Sequence, residues 1–435
     1  MLVDRFPHLG IYVEVCGRFP RVPRVVHGLQ ETPMLNNFSQ QDESLDNPTA
    51  PASSPDPILN ACDAEFSNLA QYGLSVDVRE RLIAITSKDA DLVPGRVARV
   101  DGITTFVHSN SIDYRAVSTF ARITHEGEFE IEPAQPTVGD WVLIRPGENQ
   151  NPDEIELVLS RSSLLVRKRV QRGKEEGDEQ VLAANVTTAF VVQAATYLNV
   201  GRLEREIALV WGSGAIPVVV ISKTDLLEED DLTDLIEQAR LSAPDVEVFA
   251  VSGITGEGTD SLHQYTEAGS SVVLIGASGV GKSTLVNQLM GHEVMDTGEI
   301  REGDNRGRHT TVTRQLLPLP NGGVLIDTPG IRTIGLVAGS EEALGKTFSE
   351  IEEYLGECRF RDCGHTSEPG CAILEAIADG RLLEARFDSY KRMGRELQHE
   401  ETKNDPAAKI EHQRKMRIRA KASRQKSRVE NHEKS

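Results

Sequence analysis

The 435-residue chain is predicted to contain an α/β domain with a parallel sheet, preceded by a small β-barrel and followed by a short helical domain. Three observations predict this order. Residues 276–283 form a Gly-rich motif, G-x-x-x-x-G-K-S, between an apolar run and a helical pattern. Several short β-runs, broken by Gly and Pro, crowd residues 92–168. Three cysteines and one histidine lie within residues 358–371.

Composition limits the class of protein. Charged residues at 26% and hydrophobic residues at 39% are typical of a water-soluble chain with two or three domains. We find no apolar run long enough to span a membrane and no secretory signal, and we therefore expect a cytoplasmic protein. Three of the five cysteines lie close together, which indicates a metal site rather than a disulfide framework. Residues 1–60, rich in Pro, Ser, Asn and Asp, are expected to form a disordered leader.

Charge is unevenly distributed along the chain. The net charge is −20, yet residues 414–435 contain nine Lys and Arg and only two Glu. A basic tail on an acidic chain is the natural place to meet polyanions, although a solvated charge run is an equal alternative. We assign residues 401–435 to this tail.

The β-runs of residues 92–168 favour a small β-barrel, and an OB-fold is the best match. Such barrels often bind oligonucleotides through aromatic and basic side chains. We nevertheless expect Phe106, Phe120 and Trp141 to be core residues, because large aromatics are usually buried. Residues 161–172 are expected to be a flexible, solvated linker that leaves the barrel.

An α/β pattern extends over residues 181–337. Apolar runs at 186–192, 216–221, 246–251 and 271–275 are typical of buried parallel strands, and amphipathic segments at 202–211 and 231–241 predict helices between them. A mostly parallel sheet with helices on both faces follows from this alternation.

The G-x-x-x-x-G-K-S motif has the strand before it and the helix after it that a phosphate-binding P-loop requires. Lys282 is expected to reach the β- and γ-phosphates of a nucleotide, and Ser283 to ligate Mg²⁺. The alternative is a Gly-rich turn with a chance lysine. The predicted phosphate-contacting residues are Gly276, Ala277, Ser278, Gly279, Val280, Gly281, Lys282, Ser283 and Thr284.

A second loop is predicted to read the base. Ser222, Lys223, Thr224 and Asp225 follow the strand at 216–221, and Ser252 follows the next one. A carboxylate such as that of Asp225 can accept two hydrogen bonds from guanine, at N1–H and at the exocyclic amine. The first residue of such a loop is usually Asn, and the Ser222 hydroxyl makes fewer hydrogen bonds than an amide.

Two further loops are predicted to act as switches. In residues 304–314, Thr310, or otherwise Thr311, is expected to close on Mg²⁺ and the γ-phosphate. The D-T-P-G motif of residues 327–330 supplies Asp327, to hold Mg²⁺ through water, and the Gly330 N–H, to sense the γ-phosphate.

The catalytic residues are predicted to be His309, Lys282 and Thr310. Ile331 stands where many related proteins carry a glutamine that orients the attacking water, and isoleucine cannot do this. We hypothesise that His309 takes over that role, a solvent-facing histidine being the alternative.

The base-reading loop precedes the phosphate loops, the reverse of the order in most GTPases, and this predicts a circularly permuted GTPase domain.

The cluster of Cys358, Cys363, His365 and Cys371 supplies three thiols and one imidazole. Four such ligands complete a tetrahedral set with no open position, which predicts one structural Zn²⁺. Free cysteines beside a chance histidine are the alternative. Helices at 341–355 and 371–378 are expected to flank the cluster in a helical domain of residues 338–400.

Together, these motifs resemble one family, the circularly permuted ribosome small-subunit-dependent GTPases of the RsgA family. The resemblance implies an N-terminal OB-fold and hydrolysis of GTP to GDP and phosphate. It also implies a role in late maturation of the small (30S) ribosomal subunit with contacts to 16S rRNA. We further expect a monomer that does not bind membranes. Two alternatives are a P-loop ATPase or kinase, against which Asp225 argues, and a nucleic-acid-binding P-loop protein whose nucleotide is mainly structural or regulatory.

Overall fold

The computed structural model describes residues 66–118, 121–125, 128–133, 135–148, 151–168, 179–295, 314–327 and 341–404. The predicted leader and most of the predicted basic tail lie outside these residues. Within the described ranges, no helix combines the length and the apolar character needed to cross a bilayer.

Two helices that we did not predict precede the barrel. They are α1 (Ser67–Ala70) and α2 (Val76–Thr86), and the Ser75 side chain caps α2 by accepting a hydrogen bond from the Val78 N–H. Leu69 and Leu82 pack with Trp141 and Leu143 in a cluster on the outside of the barrel. This cluster attaches the helices to the barrel wall.

The N-terminal sheet has seven strands: β1 (Val93–Asp101), β2 (Thr104–Ser109), β3 (Asp113–Val117), β4 (Arg122–His125), β5 (Glu128–Pro133), β6 (Trp141–Arg145) and β7 (Glu154–Val158). Five of them close into a barrel in the order β3-β2-β1-β6-β7, because β3 also pairs with β7 in parallel. This is the five-stranded Greek-key topology of an OB-fold, and the prediction is confirmed. The β4–β5 hairpin extends the sheet beyond β7.

The barrel aromatics follow the prediction only in part. Trp141 is buried, with 2% of its surface exposed. Phe106, in contrast, is only half-buried, because Thr105 and Val107 on either side of it point into the barrel and the alternation of the strand turns Phe106 outward. The Arg99 guanidinium lies 4.1 Å from the centre of its ring. Phe120 lies outside the described residues.

The prediction of a flexible, solvated linker at residues 161–172 is also partly wrong. Residues Leu164–Lys168 form strand β8, which pairs with β9 (Glu179–Ala184) as a separate antiparallel sheet. Arg161 donates hydrogen bonds of 2.8 and 2.7 Å to the carboxylate of Asp140, whose side chain is fully buried. The last barrel strand therefore ends at Val158, before the predicted limit of 168.

The central α/β region follows with these elements: β10 (Thr188–Ala194), α3 (Val200–Gly212), β11 (Ile216–Ser222), α4 (Glu229–Leu241), β12 (Val248–Ala250), β13 (Ser271–Ile275), α5 (Lys282–Met290), β14 (Gln315–Pro318) and β15 (Val324–Asp327). Its six-stranded sheet has the order β12-β11-β10-β13-β15-β14, with only β14 antiparallel. One hydrophobic cluster contains Leu203 and Ile207 of α3, and another contains Leu285 and Leu289 of α5. Helices thus cover both faces of the sheet.

The C-terminal region contains α6 (Glu341–Thr347), α7 (Ser349–Glu352), α8 (Ala372–Ala378) and α9 (Glu384–Asn404). The single helix predicted at 341–355 is interrupted at Phe348, whose side chain is completely buried in the core of this region. Ala208 of α3 belongs to the same core. Helix α3 therefore packs on the sheet with one face and on the C-terminal helices with another.

Arg96 joins the barrel to the α/β region. Its side chain is fully buried and donates hydrogen bonds to the backbone of Tyr72 and, at 3.3 Å, to the carbonyl of Gly139. It also donates a 2.7 Å hydrogen bond to the hydroxyl of Ser271, the first residue of β13. One buried guanidinium therefore links the N-terminal helices, the barrel and the strand that leads to the Gly-rich loop.

Candidate nucleotide site and metal centre

The predicted nucleotide residues meet at one edge of the sheet. Strands β10, β11, β13 and β15 are parallel neighbours, so that their carboxyl ends all lie on the same side. The Gly-rich loop follows β13, the base-reading loop follows β11, and Asp327 ends β15. The carboxyl edge of a parallel sheet is where open α/β proteins bind ligands.

The backbone of residues 276–281 adopts a shape that requires glycine. Gly276 has φ 147°, and a Cβ on it would lie 2.3 Å from the carbonyl oxygen of Val192. Gly281 has φ 93° and precedes α5 directly. Ser278 and Gly279 are exposed at the tip of the loop. A loop of this kind directs backbone N–H groups and a helix N-terminus towards one point, which suits the binding of phosphate oxygens.

Lys282 and Asp327 provide opposite charges beside this loop. The Lys282 ammonium donates hydrogen bonds to the carbonyls of Gly276 (2.9 Å) and Ala277 (2.6 Å), so that it lies across the loop. Burial raises the pKa of the Asp327 carboxyl to about 6, and the nearby charge of Lys282 opposes this shift. The hydroxyl of Ser283 and this carboxylate offer the hard oxygen ligands that Mg²⁺ prefers.

The base-reading loop is organised by a serine from the next loop. The hydroxyl of Ser252, which is fully buried, donates a 2.6 Å hydrogen bond to the Asp225 carboxylate. That same hydroxyl accepts hydrogen bonds from the N–H groups of Ile254 (3.3 Å) and Thr255 (3.1 Å). The carboxylate is therefore oriented, while Asp225 itself remains exposed at the sheet edge.

Ser222, Lys223 and Thr224 lie between Asp225 and the Gly-rich loop. Lys223 has a left-handed backbone conformation (φ 60°), and its methylene groups would lie 3.7 Å from a Cβ on Gly281. Ser222 is buried against the same loop. Thr224 is buried and its N–H bonds to the carbonyl of Val251 at 3.4 Å. The structure thus brings the base-reading and phosphate loops into contact.

A polar cluster near Lys282 was not predicted from the sequence. The Glu206 carboxylate, buried on α3, accepts hydrogen bonds of 2.8 Å from the Gln193 amide and 2.8 Å from the Arg202 guanidinium. Burial raises the pKa of Glu206, while Arg202 and then Lys282 act against the rise. The available signal was a glutamine inside an otherwise apolar strand and a glutamate on the buried face of a helix.

Four residues with predicted roles in the site lie outside the described part of the chain. They are His309, assigned to catalysis, Thr310 or its alternative Thr311, assigned to catalysis and to Mg²⁺, and Gly330, assigned to γ-phosphate sensing. Their roles stay predictions.

The predicted metal ligands come together in the C-terminal region. The ligand atoms of Cys358, Cys363, His365 and Cys371 all lie within 4.8 Å of one another. The His365 Nδ1 is 3.5 Å from the Cys358 sulfur and 3.3 Å from the Cys371 sulfur, and these two sulfurs are 3.9 Å apart. Zn–S and Zn–N bonds of about 2.3 and 2.0 Å at tetrahedral angles require ligand separations of roughly 3.5–3.8 Å. The donor set therefore fits zinc.

Glu368 holds the loop that carries the histidine ligand. Its carboxylate accepts hydrogen bonds from the N–H groups of Gly364 (3.1 Å), Thr366 (2.8 Å) and Ser367 (3.0 Å). These backbone hydrogen bonds lower the pKa of Glu368 to about 2. His365 lies inside this loop in a left-handed conformation (φ 52°), so that the carboxylate fixes the backbone that aims the imidazole.

The fold and the site define a circularly permuted GTPase. Strand β13 and its phosphate loop come fourth among the six strands of the sheet in chain order, after the base-reading loop. The family model described as RsgA GTPase matches residues 158–337. The crystal structure of YjeQ from Thermotoga maritima is similar, with a TM-score of 0.51 at 28% identity, covering 70% of this chain and 98% of that one.

Two relatives from Streptomyces have much higher sequence identity. Both are named small ribosomal subunit biogenesis GTPase RsgA. That of Streptomyces avermitilis is 42% identical over 81% of this chain and 93% of its own length. That of Streptomyces coelicolor is 44% identical over 74% of this chain and 84% of its own length. The chain belongs to the RsgA GTPase family and is a GTP hydrolase.

Proposed function

We propose that this protein hydrolyses GTP to GDP and phosphate during late maturation of the small (30S) ribosomal subunit, where it binds rRNA. The observation that carries the proposal is that the loop with the oriented Asp225 carboxylate packs, through Ser222 and Lys223, against a P-loop at the carboxyl edge of a permuted sheet. The names of the relatives supply the ribosomal role. We further propose that it works in the cytoplasm, where small ribosomal subunits mature, and as a monomer.

The roles in this site follow from its chemistry. Asp225, oriented by Ser252, reads the guanine base, and the Lys223 stem lies along it. The backbone of residues 276–284 and the Lys282 ammonium bind the phosphates, and Gly330 senses the γ-phosphate. Ser283 and Thr310 would ligate Mg²⁺ and Asp327 would hold it through water; the bound ion would neutralise phosphate charge. His309 orients the attacking water, and one structural Zn²⁺ is bound by Cys358, Cys363, His365 and Cys371.

The outer face of the barrel is suited to RNA. Arg99 and Arg115 place their guanidinium groups 4.1 and 5.1 Å from the centre of the Phe106 ring, on the wall formed by β1, β2 and β3. Arg115 is exposed and Arg99 is 39% exposed. Cations beside a half-exposed aromatic ring can contact phosphates and stack on bases. We assign rRNA contacts to this face.

The C-terminal helix offers a second basic surface. Lys391, Arg392 and Arg395 are exposed in the middle of α9, where Asp388 pairs with Lys391 at 2.8 Å, and the basic tail follows the helix in sequence. In an acidic protein, such a surface is where the negative backbone of RNA would be bound.

Co-sedimentation with purified ribosomal subunits tests the partner. We expect the protein, with a non-hydrolysable GTP analogue, to sediment with small subunits and not with large ones. Arg115→Glu should weaken binding and reduce its dependence on salt, because one phosphate contact is lost. Arg240→Glu, at an exposed arginine on α4, is the matched control and should bind normally. Equal binding to both subunits would contradict the assignment.

A further inference from the structure

Ser222, the first residue of the base-reading loop, has its hydroxyl turned towards backbone rather than towards the base. Only 2% of its surface is exposed. The hydroxyl lies 3.1 Å from the carbonyl oxygen of Gln193 and makes a second contact with the carbonyl oxygen of Val280. Both partners are acceptors, and a serine hydroxyl has one proton. Its donor capacity is therefore used within the protein.

These two contacts place Ser222 in a joint between three parts of the site. Gln193 belongs to β10, Ser222 ends β11, and Val280 lies in the phosphate loop. The next residue of that loop, Gly281, approaches so closely that a Cβ on it would be 3.5 Å from the Ser222 oxygen. Ser222 therefore holds the phosphate loop against the base-reading loop, although the two are 58 residues apart in sequence.

Guanine presents two edges that a protein can read. Asp225 suits the edge with N1–H and the exocyclic amine, which are donors. The opposite edge carries N7 and O6, which are acceptors and require a donor from the protein. An asparagine at position 222 would have two N–H donors, enough for one backbone carbonyl and for N7. The serine has no second proton to offer.

We propose that Ser222 is a positioning residue for the phosphate loop and that residue 222 does not read N7 of the base. Selectivity for guanine then comes from the edge that Asp225 reads. This inference rests on the proposed function, since it concerns how the same site distinguishes guanine nucleotides.

The first test uses the unmodified protein. Dissociation constants are measured for GDP and for 7-deaza-GDP, in which a C–H group replaces N7. We expect the two constants to agree within about twofold, because the protein donates no hydrogen bond to N7 that the C–H group could remove. A neutral hydrogen bond to N7 would contribute roughly two- to tenfold. Binding of 7-deaza-GDP more than about twofold weaker than that of GDP would overturn the inference.

Two variants separate positioning from base reading. Ser222→Ala should weaken the binding of GDP and of 7-deaza-GDP equally, because the contacts that hold the phosphate loop against the base-reading loop are lost. The ratio of the two dissociation constants should stay near one. Ser222→Asn should instead make 7-deaza-GDP bind about fivefold weaker than GDP, since one new neutral hydrogen bond to N7 is gained. A Ser222→Ala variant that loses affinity for GDP alone, or a folded Ser222→Asn variant without discrimination, would overturn the role given to residue 222.

A matched control and a third nucleotide complete the design. Ser213→Ala removes another buried serine hydroxyl, bonded to the carbonyl of Val210 at the end of α3, and should change neither constant. ADP is measured in parallel. Failure to prefer GDP over ADP would contradict the proposed function itself, whereas a preference for GDP combined with discrimination against 7-deaza-GDP would contradict only this inference.

Discussion

Asp225 is exposed at the sheet edge, and its carboxylate is oriented by the buried hydroxyl of Ser252 at 2.6 Å. A carboxylate in this arrangement accepts hydrogen bonds and cannot donate them. Guanine presents two donors on one edge, whereas adenine presents a different pattern. In the proposed function, base selectivity is therefore a property of the Asp225 side chain and of the Ser252 hydroxyl that orients it.

Replacing Asp225 with Asn should change which base is bound. The amide has one acceptor and one donor group. Its donor would meet the guanine amine, which is also a donor, but it would suit xanthine, which has a carbonyl in that place. We expect GDP affinity to fall about ten- to a hundredfold, the range set by a hydrogen bond to a charged group, and affinity for xanthosine diphosphate to rise. Competition binding with both nucleotides measures this, and unchanged GDP affinity would refute the assignment.

Asp327 should make the Mg²⁺-dependent part of nucleotide binding sensitive to pH. Burial raises its pKa to about 6, so that the carboxyl is increasingly protonated as the pH falls below 6, and the neutral group then attracts Mg²⁺ and its bound water less strongly. The gain in GDP affinity on adding Mg²⁺ should therefore be complete near pH 8 and decrease below pH 6. Titration calorimetry of the native protein and of Asp327→Asn checks this, and an Asp327→Asn variant with the same pH dependence would contradict it.

At this scale, the sequence predicted the residues that belong to contiguous motifs. Lys282 and Asp225 could be identified because their chemistry is defined by near neighbours in the chain. Glu206 and Gln193 could not, since their pairing depends on a helix and a strand that meet only in the fold. The contacts of Ser222 with Val280 were hidden for the same reason.

Some strands and core residues could be predicted from the sequence, whereas others could not. Strand β13 and the sheet core could be read because buried parallel strands are continuous apolar runs. Strand β8 was missed because it is short and its basic residues favoured a solvated linker, although it pairs with β9, the next strand along the chain. The outward position of Phe106 was missed because a large aromatic is usually buried, and here two arginines cover it instead.

The C-terminal helices should depend on zinc, whereas the nucleotide site should not. Bound metal contributes on the order of 10 kcal/mol to folding in small zinc domains, and the four ligands connect the loop before α8 to Cys371, the N-cap residue of that helix. We expect one zinc per chain by elemental analysis. A strong chelator should make residues 341–404 sensitive to protease while GDP binding persists. Cys371→Ser should have no zinc, and full protease resistance of the chelated protein would contradict the prediction.

On the scale of the whole molecule, helix α3 connects the nucleotide edge to the C-terminal region. Glu206 of α3 belongs to the polar cluster near Lys282. Glu204 of the same helix forms a 3.0 Å ion pair with Arg386 of α9. Arg386 also pairs with Glu350 at 2.6 Å and donates to the carbonyls of Ser242 and Thr347. Displacement of the helix by nucleotide would therefore be transmitted to the C-terminal helices.

Removing Arg386 should loosen this connection. Arg386→Ala would leave the carboxylate of Glu204 buried without its partner, which typically costs about 3–5 kcal/mol. We expect a clearly lower melting temperature by calorimetry and a smaller effect of nucleotide on small-subunit binding. Arg381→Ala, which breaks an exposed pair with Asp379, is the control and should change little. Equal melting of the two variants would argue against the connection.

In the proposed function, a guanine-specific site and an RNA-binding surface belong to one ribosome-dependent GTPase. The rate of GTP turnover by the full-length protein, measured with and without purified small ribosomal subunits and with large subunits as the control, tests this function. We predict strong stimulation by small subunits alone, retained with Arg240→Glu and lost with His309→Ala although GDP binding stays intact. A turnover rate that small subunits leave unchanged would contradict the account.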